Sequence, residues 1–325
     1  MKKQVKIGFL AVFLILRISA AGFTQNFPSL DELQKNVNDF SGELAKSLPL
    51  NSSLGLNWSY AYIGKILPSI PPHFGFGGSF GVTTMDLKAI NKLMGNFGYT
   101  VPFNVSKLAL PAYTAEARIG GIFLPFDIGV KFGYLPSLEI WGEKTKFDYL
   151  LAGGDLRYNL ADLKLFKFSL GLGVNYMKGS IGGKVGSEQT IEYGSETIAI
   201  ESPDVNLHWK TTYLDFKAQA SFHFAIFTPY IGLGAGYGWS SAGYSVNADI
   251  NGDLDGITNY AKSRGLAGIY ISESGMSSTV KNGAFSIRAF GGLSLNMAMF
   301  RIDLTALYSF IDQNYGGSVG LRFQL

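Results

Sequence analysis

Apolar and polar residues alternate along much of this chain. The clearest case is the stretch FRIDLTALYSF, which begins at Phe300 and ends at Phe310. Every second side chain is apolar, whereas the positions between them include a cation, an anion and two hydroxyls; the apolar set is Phe300, Ile302, Leu304, Ala306, Tyr308 and Phe310. A period of two places successive side chains on opposite faces of a β-strand. The stretch is therefore predicted to be a strand with one apolar and one polar face.

The same alternation recurs in ten segments after residue 72. They are predicted at 73–84, 112–121, 126–135, 147–159, 165–177, 210–223, 228–241, 284–296, 299–310 and 315–325. In the segment 147–159, Asp155 and Arg157 share one face but Asp148 falls on the other, which predicts a β-bulge near Gly153 and Gly154. Short turns alternate with long connections, the longest of which are 85–111, 178–209 and 242–283.

Short turns at one end and longer loops at the other are typical of a transmembrane β-barrel. Segments of about ten residues fit tilted strands that cross a bilayer. A soluble β-sandwich or a lipocalin-like barrel also alternates, but it turns its apolar face inward. The favoured fold class is all-β: a ten-stranded antiparallel transmembrane β-barrel formed by residues 73–325, preceded by an amphipathic helical segment that can act as a plug.

The N-terminus has the three parts of a secretory signal peptide, predicted at residues 1–22. Lysines at positions 2, 3 and 6 precede the apolar run 7–16, and small residues follow at Ser19, Ala20 and Ala21. An uncleaved membrane anchor is the alternative, but Arg17 interrupts the apolar run. The predicted localisation is the outer membrane of a diderm bacterium, reached through export with a cleaved signal peptide.

Residues 23–72 do not follow the strand pattern and are predicted to form an N-terminal helical segment. Ser29 and Glu32 have the spacing of a capping box. Apolar residues then recur every three or four positions until Pro49, at Leu30, Leu33, Val37, Phe40, Leu44 and Leu48. This apolar stripe requires cover, either inside the barrel as a plug, or in the periplasm against a partner.

Three stretches resemble segments of bacterial outer-membrane β-barrel proteins of the OmpW-like and porin-like class. They are TPYIGLGAGYGW (228–239), LLAGGDLRYNL (150–160) and the closing GGSVGLRFQL. The resemblance implies two partners, outer-membrane lipid and the barrel-assembly machinery, which in this class reads an apolar or aromatic chain end; here the end is Leu325, with Phe323 two residues before it. The placement of residues 23–72 resembles the N-terminal hatch of outer-membrane fatty-acid transporters, although no hatch motif is matched.

The polar faces of the predicted strands carry charges that are expected to face the barrel lumen. The lumen-facing candidates are Glu116, Arg118, Asp127, Lys131, Asp155, Arg157, Asp215, Lys217, Arg288, Arg301, Asp303 and Arg322. They can form either a mildly anion-favouring pore or an interior of mutual ion pairs. Glycines on the same faces leave space that could admit the N-terminal segment or a ligand; they include Gly75, Gly77, Gly81, Gly232, Gly234, Gly236 and Gly238.

The remaining composition narrows the chemistry. A net charge of +3 gives no nucleic-acid footprint, and the absence of cysteine rules out disulfides and thiolate metal sites. Of the three histidines, His208 has Asp204 and Ser202 nearby in sequence, but an ordinary loop histidine is the simpler interpretation, so no enzyme and no cofactor is predicted. Asp249, Asn251, Asp253 and Asp255 alternate as ligands of a surface calcium ion would, although the residue at position 12 of such a loop is Lys262, and a solvated acidic turn is the simpler interpretation.

Two functions fit these observations. The first is a small, partly occluded channel for the passive uptake of hydrophobic or small polar solutes. The alternative is a surface-displayed adhesin or ligand-binding barrel, in which long extracellular loops bind a host surface ligand. The sequence alone identifies neither the solute nor the ligand.

Overall fold

A computed structural model of the chain describes residues 30–63, 72–86, 88, 106–122, 125–139, 145–163, 165–184, 189–193, 196–200, 204–247, 250–251 and 276–325. Helix α1 (Leu30–Ser52) comes first. The long strands are β1 (His73–Asp86), β2 (Lys107–Gly120), β3 (Phe126–Glu139), β4 (Thr145–Asp162), β5 (Phe166–Lys184), β8 (Asp204–Phe222), β9 (Phe227–Asn247), β11 (Met276–Met297), β12 (Phe300–Ser309) and β13 (Tyr315–Gln324). The short strands are β6 (Gln189–Tyr193), β7 (Glu196–Ile200) and β10 (Ile250–Asn251).

The ten long strands close into one antiparallel barrel, in the order β1-β13-β12-β11-β9-β8-β5-β4-β3-β2. The first and last strands complete the ring, with Gly75 opposite Gln324 and Thr83 opposite Gly316. Closure leaves no free strand edge, so the backbone groups of the barrel are hydrogen-bonded within it, as a membrane interior requires. The predicted ten-stranded antiparallel barrel is confirmed. None of the described helices is long and apolar enough to cross a membrane.

The barrel is apolar outside and polar inside. Outward side chains from all around the ring are at least half exposed, among them Phe76, Phe80, Val130, Phe132, Leu172, Phe216, Ile231, Leu233, Leu304 and Leu321. Inward positions on the same strands hold buried charges such as Arg118, Asp127, Arg157 and Arg288. In water, a barrel with this surface would expose its largest apolar side chains to solvent. In lipid, the same apolar surface is stabilised.

The two ends of the barrel differ. At the short-turn end, adjacent strands are joined by a few residues, as at Leu163–Leu165 and at Ala298–Met299, and β1 begins beside the C-terminus, where the Leu325 N–H donates to the Phe74 carbonyl at 2.9 Å. At the long-loop end lie the connections 87–106, 140–144, 185–203 and 248–275. The short strands β6, β7 and β10 form a separate three-stranded sheet within two of these connections, which the alternation did not predict.

Two sequence-based details were wrong. The pairing of β4 with β5 is continuous through Gly153 and Gly154, and its irregularity lies between Asn159 and Ala161. Asp148 faces outward without any bulge because it lies near the long-loop end of β4, where its carboxylate accepts a hydrogen bond from Ser180. Several strands also extend beyond their predicted limits at this end, β11 beginning at Met276.

Candidate functional site

Residues 30–63, the described part of the N-terminal segment before Pro72, lie inside the barrel. Helix α1 packs at the long-loop end, where the Ser278 hydroxyl donates to Asn38 Oδ1 at 2.7 Å. At the last turn of the helix, Asn51 Nδ2 donates to Thr83 Oγ1 at 2.8 Å, farther along β1. Residues 53–63, called the plug segment below, continue to the short-turn end, where the Ile63 N–H donates to Asp127 Oδ2 at 2.9 Å. The chain therefore threads the lumen from the long-loop end to the short-turn end.

Glu116 on β2 anchors the middle of the plug segment. Its Oε2 accepts hydrogen bonds from the Leu56 N–H at 2.9 Å and from Trp58 Nε1 at 2.6 Å. Its Oε1 accepts hydrogen bonds from the hydroxyls of Ser79 and Thr114, both on strands of the barrel wall. The carboxylate is buried and is thus held by the wall on one oxygen and by the plug on the other.

Lys131 on β3 binds the end of helix α1. Its ammonium group donates to the carbonyls of Ser52 at 2.7 Å and Leu54 at 2.5 Å. Carbonyls at a helix C-terminus have no partner within the helix and carry partial negative charge, so a cation there is favourable. Gly55 (φ +82°) and Leu56 (φ +57°) are left-handed and turn the chain from the helix into the plug segment.

Two arginines meet at Asp127 near the short-turn end. Its carboxylate accepts hydrogen bonds from Arg118 Nη1 at 2.5 Å and from Arg157 Nε and Nη2 at 2.8 and 2.6 Å. Arg118 also donates to Asp155 at 2.5 Å, and Lys217 lies 2.5 Å from the other oxygen of Asp155. The three cations and two carboxylates form one continuous buried network, as burial of charge requires.

Two further charge pairs lie on the inner wall. Arg288 donates to both oxygens of Asp215, at 2.8 Å each, and Arg322 donates to Asp303 at 2.6 Å through Nε. The guanidinium of Arg322 lies 4.6 Å from the centre of the Trp58 ring, and that of Arg301 lies 4.6 Å from the centre of the Tyr60 ring. The plug therefore contacts the wall through aromatic faces as well as through hydrogen bonds.

The structure places the predicted lumen-facing residues on the inner wall. All but Arg301 are buried, and Arg301 is partly buried. Their charges are paired with one another or bound to the plug segment, so the arrangement corresponds to an ion-paired interior rather than an open pore. Beside Glu116 and Asp303 there remains a cavity of about 20 Å³, which is room for roughly one water molecule.

Glycines on the inner wall make space for the plug. A Cβ on Gly120 would lie 1.7 Å from the Ile63 carbonyl oxygen, and one on Gly75 would lie 2.8 Å from the Trp58 ring. Larger side chains at these positions would displace the plug backbone or its tryptophan. The glycines of β9 differ among themselves: Gly238 faces Pro49 of α1, whereas Gly234 is covered by Arg288.

An apolar cavity of about 80 Å³ lies at the long-loop mouth, between α1 and the wall. Its lining includes Phe40, Leu44, Leu48, Leu110, Tyr149 and Trp209. The Tyr149 hydroxyl is buried and has no hydrogen-bond partner among the described residues. This cavity offers an apolar ligand a site at the mouth of the barrel.

The other sequence-based candidates are not brought together. His208 lies on β8 rather than in a long loop, and its Nε2 lies 3.2 Å from Thr279 Oγ1. Ser202, Asp249, Asp253 and Asp255 lie outside the described residues, as does the predicted signal peptide 1–22. Asn251 belongs to β10, opposite Ala199, and its side chain is not described.

Sequence reasoning did not identify the individual plug residues. The stretch SLGLNWSYAYIGK (53–65) has no clear period, and only its aromatic content next to Gly-rich inner faces indicated a buried role. Trp58 and Tyr62 are nearly fully buried, and Gln219 Nε2 donates to the Trp58 carbonyl at 2.7 Å. Because these contacts join residues more than 150 positions apart, no local pattern encodes them.

Comparisons with known proteins give a family and several similar structures. The sequence model of the Lsa36-like family matches residues 92–325. No curated protein sequence matches the chain. Among solved structures, the outer-membrane protease OmpT from Escherichia coli is 11% identical, with a TM-score of 0.35 over 78% of this chain and 96% of that one. The translocator domain of the autotransporter NalP from Neisseria meningitidis is 12% identical, with a TM-score of 0.37 over 90% and 97%. Ail, the attachment invasion locus protein of Yersinia pestis, is 11% identical, with a TM-score of 0.29 over 78% and 97%.

Proposed function

The chain belongs to the Lsa36-like family, and we propose that it is an outer-membrane barrel that is closed by its own N-terminal segment and binds a host surface ligand at its long-loop end. The ligand-binding barrel, the second of the two functions that the sequence indicated, is thus preferred to the solute channel. The solute channel now takes second place, since a lumen filled by the plug segment offers no continuous aqueous path.

The filled lumen is the observation that carries the proposal. Trp58, Tyr62 and Ile63 are at most 3% exposed, and the backbone of the plug segment is hydrogen-bonded to Glu116, Gln219 and Asp127 on different strands. Such bonds to charged or buried partners contribute roughly 1.5–3 kcal/mol each when the partner is ionised. Several of them together favour a plug that stays in place rather than one that fluctuates open.

The direction of the chain supports activity at the long-loop end. Helix α1 begins at that end of the barrel, where Asn38 accepts a hydrogen bond from Ser278 of β11. A chain exported through a signal peptide reaches the membrane from the periplasm, and the N- and C-terminal ends of the barrel proper both lie at the short-turn end. This topology leaves the long connections at the cell surface, with the barrel-assembly machinery and outer-membrane lipid as partners.

Bilayer recording tests the closed state. The intact protein is expected to be nearly silent, whereas a chain lacking residues 26–63 is expected to conduct, because the barrel's ladder hydrogen bonds lie in its strands. The uncovered arginines, among them Arg288, Arg301 and Arg322, should bias the open pore toward anions. Steady conductance of the intact protein, equal to that of the deletion, would contradict the proposal.

Surface binding is tested on intact cells. An epitope inserted before Leu30 and one in the long connection 185–203 should bind antibody without permeabilisation, while an epitope in the turn Leu163–Leu165 should require it. Exchanging connection 185–203 or 252–275 for a Gly-Ser linker should then reduce attachment to cultured host cells. Attachment that survives both exchanges would leave the closed barrel without the proposed binding role.

The apolar mouth cavity favours uptake of small apolar solutes as the second candidate. Its position above the plug would suit a binding site from which a solute enters once the plug moves. The test uses 4-bromobenzyl alcohol, whose bromine quenches tryptophan on contact. Uptake would be supported by quenching of Trp209 that Leu110→Phe abolishes, together with entry of the alcohol into vesicles that contain the protein. Quenching without entry would mean that the cavity binds the alcohol but does not transport it.

We propose no enzymatic role. A serine hydrolase needs its histidine to accept the proton of the nucleophile. In the described strands, the Ser180 hydroxyl donates to Asp148 and Nε2 of His208 lies 3.2 Å from Thr279 Oγ1.

A further inference from the structure

Three lysines form a row on the outer surface of the barrel near the long-loop end. Lys178 on β5 is directly opposite Lys210 on β8, and Lys210 is opposite Ser241 on β9, which in turn is opposite Lys281 on β11. All three lysines are exposed. They face away from the lumen: the adjacent residues 177, 179 and 211 are buried, and Lys281 shares its face of β11 with Phe285, which is 69% exposed.

The row lies next to the lipid-facing surface. Tyr176 and Trp239 lie two positions closer to the short-turn end than Lys178 and Ser241, and each is paired with Thr212 on β8. Trp239 is 55% exposed. One step farther come Val174, Leu214, Tyr237 and Phe285, all apolar or aromatic. Tryptophan and tyrosine mark the boundary between hydrocarbon and headgroups in membrane barrels. The three ammonium groups therefore lie at the level of lipid headgroups.

The lysines have no carboxylate partner in the part of the chain that the structure describes. Among the described residues none of the three forms an ion pair, and the nearest row holds Asp148, already bound to Ser180, with Ser180, His208 and Thr279. Like charges directly opposite each other on adjacent strands are destabilising. The opposition of Lys178 and Lys210 thus carries a cost in water that a bridging anion would remove.

We propose that this lysine row binds the phosphate of an anionic lipid in the leaflet that faces the long loops. Lysine is a common phosphate ligand, and clusters of basic residues at the membrane surface attract anionic lipid. The small side chain of Ser241 leaves room for a headgroup between Lys210 and Lys281, which are two strand spacings apart, or about 10 Å. The acyl chains of the lipid would then lie along Trp239 and the apolar wall beneath it.

The test uses the protein in nanodiscs of phosphatidylcholine that contain a minor fraction of lipid with brominated acyl chains. Brominated phosphatidic acid should quench the fluorescence of Trp239 more than brominated phosphatidylcholine at the same fraction. The occupancy of phosphatidic acid beside Trp239 should be about fivefold higher for each lysine that binds it. Trp239→Phe should remove the difference, which identifies the reporter. Equal quenching by the two lipids in the unmodified protein would overturn the proposal.

Substitutions separate the row from general surface charge. Lys178→Gln, Lys210→Gln and Lys281→Gln together should abolish the preference for phosphatidic acid, and Lys210→Gln alone should reduce it. Lys88→Gln is the matched control, because Lys88 is an exposed lysine beyond β1, on the opposite side of the barrel. Loss of preference in Lys88→Gln as large as in the triple variant would mean that net charge, not this row, selects the lipid.

Two further arms identify the ligand. Inorganic phosphate at the same ionic strength as a chloride control should leave the preference unchanged; if it abolishes the preference, the site takes free phosphate and the lipid assignment is wrong. Lys210→Glu converts the like-charge pair with Lys178 into an opposite-charge pair. It should raise the resistance to unfolding in phosphatidylcholine and remove the stabilisation by phosphatidic acid, and the opposite result would contradict the role of the pair.

Discussion

Trp58 Nε1 donates a 2.6 Å hydrogen bond to Glu116 Oε2, joining the plug segment to the barrel wall at a buried carboxylate. The same oxygen accepts the Leu56 N–H, so a single side chain holds two donors of the plug. Nothing in the strand ladder depends on this contact. It is therefore the point at which the plug can be loosened while the barrel remains closed around it.

Glu116→Ala is predicted to loosen the plug. The substitution leaves the Leu56 and Trp58 N–H groups buried without acceptors, each at a cost of roughly 1–3 kcal/mol. Acrylamide quenching of tryptophan fluorescence should increase, and brief conductance bursts should appear in bilayers. Glu116→Gln keeps one acceptor oxygen and should give a smaller effect. If quenching and conductance do not change in either variant, Glu116 does not retain the plug.

Asp127→Asn is predicted to destabilise the barrel strongly. Its carboxylate neutralises Arg118 and Arg157 in a fully buried site, and removal of one partner from a buried ion pair costs about 3–5 kcal/mol. Urea unfolding in detergent should show this loss. The control is Glu43→Gln, which breaks the exposed bridge to Lys46 and should cost at most about 1 kcal/mol. Similar losses in the two variants would mean that the buried network contributes little.

The barrel could be predicted from sequence because its alternation is a local property. Each of the ten predicted strands is present, since the bilayer requires an apolar face at every second position. The prediction weakens where lipid no longer imposes that requirement: β11 begins at Met276, eight residues before the predicted limit of 284, in a region with polar residues on both faces. The β-bulge predicted from Asp148 was wrong for the same reason.

The plug could be predicted only as a segment in need of cover. The helical stripe specified an apolar face, but neither its direction in the lumen nor its end. Helix α1 continues past Pro49 to Ser52, because Lys131 and the Ser52 hydroxyl bind the terminal carbonyls. The charge pairs could not be predicted from the sequence either. Arg288 contacts Asp215 across two strand boundaries, and this contact depends on strand register rather than on the spacing of the residues in the sequence.

Leu304→Arg is predicted to destabilise the protein in lipid vesicles. Leu304 is 51% exposed on the outer face of β12, and an arginine near the midplane of the bilayer costs about 2–4 kcal/mol on the lipid face. The matched control is Ile311→Arg, an equally exposed position in the turn between β12 and β13. That substitution should change stability little. Equal losses at both positions would argue against a lipid environment around β12.

Calcium is predicted to protect the connection between β9 and β11 from protease. The prediction rests on the alternating oxygen ligands Asp249, Asn251, Asp253 and Asp255 in the sequence. Limited digestion with and without calcium should differ within residues 248–275, and Asp253→Ala should remove the difference. If digestion with calcium and with a chelator is identical, the acidic residues form an ordinary solvated turn.

Stability is predicted to fall as the pH decreases from about 6.5 to about 4, through His223. This residue follows β8 at the short-turn end, with its ring 4.1 Å from that of Tyr60 in the plug segment. Burial, together with the nearby cations Lys167 and Arg301, lowers the pKa of His223 to about 4, against the opposing effects of the Leu165 carbonyl and Asp162.

The direction of this pH dependence follows from the number of protons bound in the folded and unfolded states. Between pH 4 and 6.5 the unfolded chain holds a proton on His223 that the folded protein excludes, so the free energy of unfolding rises with pH across that window and levels off above it. Urea unfolding in detergent at several pH values should show the slope, and His223→Gln should remove this contribution while leaving that of the carboxylates at lower pH. An unchanged slope in His223→Gln would show that the imidazole is protonated equally in both states, and that Tyr60 does not exclude the charge.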